Sequence, residues 1–201
     1  DLGYEATFRI NDVDLSCRNI IVGCHLLDQR DMPDLPASTI VVNTEQLYDA
    51  DPFGWNQNIF DWARSFETWD YSESNAAAFE RHGITGVKLL QIGHQPQLHR
   101  IKKSTAPDID VLFYGSINDY RQTILDECRA RGLEVVHLFG VYGEERDDYI
   151  SRAKVVLNMH NHQVEIFEIV RVHYLLSNEV AVVSETNPTT LIPAMYRGAI
   201  A

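Results

Sequence analysis

Gly115-Ser116 follow the apolar run Val111-Leu112-Phe113-Tyr114 and precede a helical pattern that begins near Asp119. A strand, a glycine-containing turn and a helix start form a phosphate cradle, because free backbone N–H groups and the helix dipole face an anion there. Downstream, an apolar helical pattern over 165–177 carries Glu168 and Arg171 three positions apart, on one face. A carboxylate there can hold ribose hydroxyls and a guanidinium can hold a diphosphate. The bland alternative is an intrahelical ion pair worth only about 0.2–0.5 kcal/mol. Charges on so apolar a helix need partners, which favours a site. Arg121 supplies a second cation close to the glycine turn, which without the arginines would read as a plain strand-to-helix connection.

Other chemistry-bearing groups are sparser. Cys24-His25 follow the apolar run Ile20-Ile21-Val22, and Glu45 ends another. Either His25 or Glu45 is a candidate base, with ordinary loop polarity as the alternative for both. Cys24 and His25 make a poor nucleophilic dyad, since adjacent residues rarely present both groups to one atom. His160-Asn161-His162 lacks a third ligand for zinc. Asp108-Ile109-Asp110 has the spacing of a cation-binding pair but enters a strand, away from the edge where ligands bind. Asp12-Val13-Asp14 has no accompanying ligand set. The expected metal content is none.

These groups need elements to hold them. Short apolar runs alternate with helical patterns along all 201 residues, the signal for mostly parallel sheets. Strands are expected over 6–10, 19–22, 39–43, 66–69, 87–92, 111–114, 134–139, 155–159 and 180–184. Helices are expected over 52–64, 73–82 with Ser72 as N-cap, 120–131, 144–152 and 165–177. The acidic run 144–148 reads as a solvated first helical turn. Polar, proline-containing residues 99–107 read as a linker between an N-terminal lobe over 1–98 and a C-terminal lobe over 108–201. The fold class is α/β, two Rossmann-like lobes with mostly parallel sheets. Both ends read as truncated, since the chain opens on Asp1 and 188–201 follow the last strand without a helical pattern.

A formal charge of −12 argues against a nucleic-acid partner. No apolar run approaches the roughly 20 residues of a membrane span. Three cysteines without CxxC spacing fit a reducing compartment, hence a cytoplasmic location.

The second half resembles the C-terminal lobe of GT-B glycosyltransferases, in the group-1-like and spore-maturation (CgeB-like) branches. The matching phrases are 110–116 followed by Arg121, Leu138-Phe139-Gly140-Val141-Tyr142-Gly143, 153–158, and Arg171 through 180–185. The first half fits the other lobe more loosely, through 40–45 and 69–72. The resemblance implies transfer of a sugar from a nucleoside-diphosphate sugar to an acceptor, which could be a glycan, lipid or small molecule, with no cofactor and no metal. It implies that Gly115-Ser116 and Arg121 sit by the diphosphate, that Gly140 borders the base and that Arg171 reaches the phosphates. The family's ribose-binding glutamate, three residues after this arginine, is Tyr174 here, and Glu168 would take that role. Two alternatives stand beside it. One is a non-catalytic, degenerate GT-B-like binding or scaffold module. The other is a different nucleotide-binding α/β enzyme such as a dehydrogenase, although no GxGxxG follows any strand.

Overall fold

Runs rich in valine and isoleucine fold as strands, and amphipathic stretches between them fold as helices, in a computed structural model that describes residues 3–27, 34–47, 54–161, 166–188 and 190–201. The chain divides into two compact units, Asp1–Gln91 and Ile92–Ala201. Each holds a four-stranded, all-parallel, Rossmann-like sheet.

The first unit contains β1 (Ile20–Val22), β2 (Ile40–Asn43), α1 (Asn56–Ser65), β3 (Glu67–Asp70), α2 (Glu73–Arg81) and β4 (Lys88–Leu89). Its strand order is β1-β2-β3-β4, so growth runs in one direction only. Val41, Trp62 and Phe79, all fully buried, anchor its core. Ser72 caps α2 as expected, its hydroxyl accepting from the Asn75 N–H. The strand expected over 6–10 does not form. Phe8 is 90% exposed and Ile10 76% exposed, so the alternation there finds no partner strand to pair with. Helix α1 starts at Asn56; residues 52 and 53 of the expected helix lie outside the described residues.

Asp70, at the carboxyl end of β3, is fully buried. It accepts from Asn43 Nδ2 and the Ser72 N–H at 2.7 Å each, and from Asn75 Nδ2 at 3.1 Å. Burial nonetheless outweighs these bonds and pushes its carboxyl up to about 6. A raised carboxyl favours the folded state while it is protonated. The stabilisation is full below the unfolded carboxylate range and is lost as pH climbs towards 6. The unfolding free energy of wild type relative to Asp70→Asn should therefore fall by about 2 kcal/mol between roughly pH 4 and 7. Tryptophan fluorescence can follow it, because Trp55, Trp62 and Trp69 all lie in this unit. A pH-independent difference would show that Asp70 titrates as an ordinary surface carboxylate.

The second unit contains β5 (Ile109–Tyr114), α3 (Asp119–Ala130), β6 (Val135–Leu138), α4 (Gly143–Arg152), β7 (Ala153–Asn158), α5 (Ile169–Ser177) and β8 (Val182–Ser184). The order is β6-β5-β7-β8. The chain steps from β5 outward to β6, returns across β5 to β7, and then grows the other way. The reversal makes a topological switch point at the carboxyl ends of β5 and β7, where open parallel sheets bind ligands. Leu112, Val156, Val172 and Leu175 fill the core beneath it.

Residues 99–107, expected as a linker, pack on this unit. Arg100 and Ile101 donate their N–H groups to Asn178 Oδ1 at 2.8 and 2.9 Å, and Ile101 is buried. Beyond β8, Tyr196 is buried against Phe167, and the Ser184 N–H donates to Ala201 O at 2.8 Å. Helix α5 begins at Ile169; residue 165, its expected start, is outside the described residues.

Candidate functional site: a cationic switch point

Gly115 follows β5 directly with φ of 140°, a conformation that side-chain-bearing residues rarely adopt. A Cβ at this position would lie 3.5 Å from Arg171 Nη2 and 4.0 Å from Arg121 Nη1, so two guanidinium groups approach the bare backbone. His137, on neighbouring β6, donates from Nε2 to Gly115 O at 2.8 Å and steadies the turn. The glycine turn, Arg121 and Arg171 are thus brought together.

The two arginines differ in what they do. Arg121 is only 2% exposed. It donates to Ser116 O at 2.8 Å, to His160 O at 3.1 Å, to Asn161 Oδ1 at 3.0 Å and also to Met159 O. Its guanidinium braces the loop after β5 to the loop after β7. Asn118 reinforces the brace: it caps α3 by accepting from the Arg121 N–H and donates to Asn161 O at 3.0 Å.

Arg171 is half-buried, and among the described residues no carboxylate pairs with it. Asn158 Oδ1 accepts from its Nη1 at 3.1 Å, and its guanidinium carbon lies 5.2 Å from the Tyr114 ring centre. Tyr114 begins a run of alternating arginine and tyrosine. Arg146 lies 5.5 Å from the Tyr114 ring and 5.0 Å from the Tyr174 ring, and Arg100 lies 5.6 Å from Tyr174. Burial pushes the Tyr114 phenol up to about 12, although Arg171 and Arg146 pull the other way. The acid in this cluster is Asp147, paired with Arg100 at 3.0 Å and Arg146 at 3.1 Å. Among the described pairings, three guanidinium groups face one carboxylate, a local positive excess on a chain of net charge −12.

Two expected donor residues are placed differently. Glu168 stands at the N-cap position of α5, not on a helix face with Arg171, because the helix starts one residue later. The Tyr174 hydroxyl donates to Asp147 Oδ2 at 2.7 Å and accepts from Arg100 Nε at 3.0 Å. Ser116 and Gly140 are exposed on the loops after β5 and β6, and beside Gly140 stand Phe139 and Tyr142, 73% and 76% exposed.

Sequence reading missed Arg146, Asn158 and Glu185. Glu185 accepts from the His160 N–H at 2.8 Å and from the Tyr120 hydroxyl at 2.6 Å, tying the β8 and β7 loops to α3. His160 is buried, and neither ring nitrogen has a partner among the described residues; His162 is outside them. Asp108 and Asp110 are spent on Arg152 and Lys154, at the opposite end of β5 from Gly115.

In the first unit the two candidate bases meet. His25 Nε2 lies 3.7 Å from Glu45 Oε1, and the imidazole packs 4.7 Å from the Trp55 ring. Asn58 Nδ2 fixes the surrounding turn by donating to the carbonyls of Cys24, His25 and Leu27. Burial pushes the Cys24 thiol up to about 12, which removes it as a nucleophile at neutral pH.

Fold and site together define a Rossmann-like α/β protein with a cationic switch point in its second unit. No family model matches the chain. It is similar to three proteins of Acanthamoeba polyphaga mimivirus. It is 26% identical to uncharacterized protein L137 over 173 residues, 85% of this chain and 23% of L137. With uncharacterized protein L140 the identity is 27% over 154 residues, 73% of this chain and 48% of L140. Uncharacterized protein L138 is 32% identical over 90 residues, 44% of this chain and 10% of L138. The chain therefore spans half or less of the length of each relative. Among the described residues no helix is long and apolar enough to cross a membrane.

Proposed function

We propose that the second unit binds a nucleoside-diphosphate sugar and that the protein transfers its sugar to an acceptor hydroxyl. The observation that carries this reading is Arg171, held against Gly115 at the switch point with no carboxylate partner among the described residues. Arg171 and the Ser116 backbone N–H would take the diphosphate, since the Gly115 N–H is spent on Leu138 O. As the bond from the sugar's anomeric carbon to the diphosphate oxygen breaks, its electron pair passes to that oxygen, where the guanidinium stabilises the charge. Arg121 shapes the cradle by fixing its two loops. Glu168 would meet the ribose, and Phe139 and Tyr142 would flank the base beside Gly140. The acceptor oxygen attacks the anomeric carbon and gives up its proton to a general base.

Thermal melting in the presence of excess UDP, GDP, TDP, CDP, ADP or NAD tests the proposal, since a ligand of the folded state raises the melting temperature. A selective rise with one nucleoside diphosphate, about 2.7 kcal/mol of added stability at a hundredfold excess over Kd, is the expected result. A rise with NAD alone would point to dinucleotide chemistry. No rise with any of them would overturn the donor reading.

A further inference from the structure

We infer that Asn158 is a positioning residue whose neutrality keeps the charge of Arg171 available to an anionic ligand. The inference rests on the donor reading above and assigns a role to a side chain outside it. Asn158 ends β7, is fully buried, and is locked on three sides. Its Nδ2 donates to Ser184 Oγ at 2.9 Å, its own carbonyl accepts from the Glu185 N–H at 2.8 Å, and its Oδ1 accepts from Arg171 Nη1 at 3.1 Å. With the Nδ2 engaged by Ser184, the amide oxygen is turned toward the guanidinium and cannot flip away without losing that bond.

The choice of an amide matters because of what the site does elsewhere. Arg100 and Arg146 are held by a carboxylate, Asp147, and their charges are partly cancelled. Arg121 is consumed by backbone carbonyls. Among the described residues, Arg171 is the one of these four held by neither a carboxylate nor a set of backbone carbonyls, and the amide of Asn158 aims it. An aspartate has almost the same shape and would bond the guanidinium more strongly. It would also set a negative charge beside the anion's place, and the pair would attract a phosphate far less than a lone guanidinium does.

Three proteins separate this role from a purely structural one: wild type, Asn158→Asp and Asn158→Ala. The readout is the Kd for inorganic pyrophosphate and for the nucleoside diphosphate that wild type prefers, together with the melting temperature. A charge role for Asn158 requires the order wild type, then Ala, then Asp, with Ala within about fivefold of wild type and Asp weaker by tenfold or more, while Asp melts as high as wild type. A structural role requires the order wild type, then Asp, then Ala, because Ala loses both side-chain bonds, whereas Asp keeps the bond to Arg171 and regains one to Ser184 once that hydroxyl turns from Glu185 O to donate to the carboxylate. Equal affinities of wild type and Asp would overturn the inference. If the Asp variant does not melt cooperatively, the Ala variant decides. Binding kept within fivefold supports the inference, and a loss as complete as that of Arg171→Ala overturns it. Failure of wild type to bind any probe would remove the donor reading and this inference with it, whereas a binding wild type with an indifferent Asp variant removes only the inference.

Discussion

Arg171→Ala should abolish nucleoside-diphosphate binding, weakening it by about a hundredfold or more, while the melting temperature stays near that of wild type. The size follows from chemistry: a charge-assisted, multidentate contact to a phosphate is worth about 1.5–3 kcal/mol, and here a half-buried setting strengthens it. The fold should tolerate the change, since the guanidinium leaves behind one neutral hydrogen bond to Asn158 and no orphaned carboxylate among the described residues. Arg171→Lys should recover little affinity. An ammonium keeps the charge but cannot stack on Tyr114, bond Asn158 and present a flat fork to a diphosphate at once. Titration calorimetry and circular-dichroism melts check both halves. Unchanged affinity in Arg171→Ala would remove the residue from the site.

Arg121→Met should act in the opposite sense, costing stability first and binding as a consequence. The substitution leaves the carbonyls of Ser116, Met159 and His160 and the Asn161 side chain without their shared donor. Orphaning acceptors in so buried a place costs about 3 kcal/mol or more in total. Lysine should rescue less than half of that, because one ammonium cannot bridge two loops as a planar fork does. Urea unfolding separates the units. Far-ultraviolet circular dichroism sees both sheets, whereas tryptophan fluorescence reports the first unit, which holds all three tryptophans. The dichroism transition should move to lower urea, and the fluorescence transition should move less. Equal stability of Arg121→Met and wild type would mean that the loops hold without the brace.

The contrast between these arginines marks where sequence reading succeeds and where it stops. Strand runs such as 111–114 and 39–43 announce themselves because a buried parallel strand must be apolar on both faces, and both appear as β5 and β2 within two residues. Ser72 was legible because N-capping is local. Gly115 was legible as a turn, and its neighbourhood as cationic. That Arg121 spends its donors on carbonyls was not, because every residue has a carbonyl and such partners leave no mark in side-chain types. Arg146 was hidden by its neighbours: Glu144 and Glu145 do face solvent in the first turn of α4, but Arg146 turns inward to Tyr114 and Tyr174. That stacking joins residues far apart in the chain. The alternation over 6–10 misled for a related reason, since a strand exists only where a second strand meets it.

The brace around Arg121 carries a further consequence, for how such a sequence can drift. Among the described residues its recipients include three main-chain oxygens, at Ser116, Met159 and His160. Substitutions at those positions leave the acceptors untouched, so the loop side chains can be exchanged without loosening the frame that holds them. Position 121 has no such latitude. One side chain therefore absorbs the constraint for both loops, and the rim of the site is left open to acquire new ligand preferences on an unchanged scaffold.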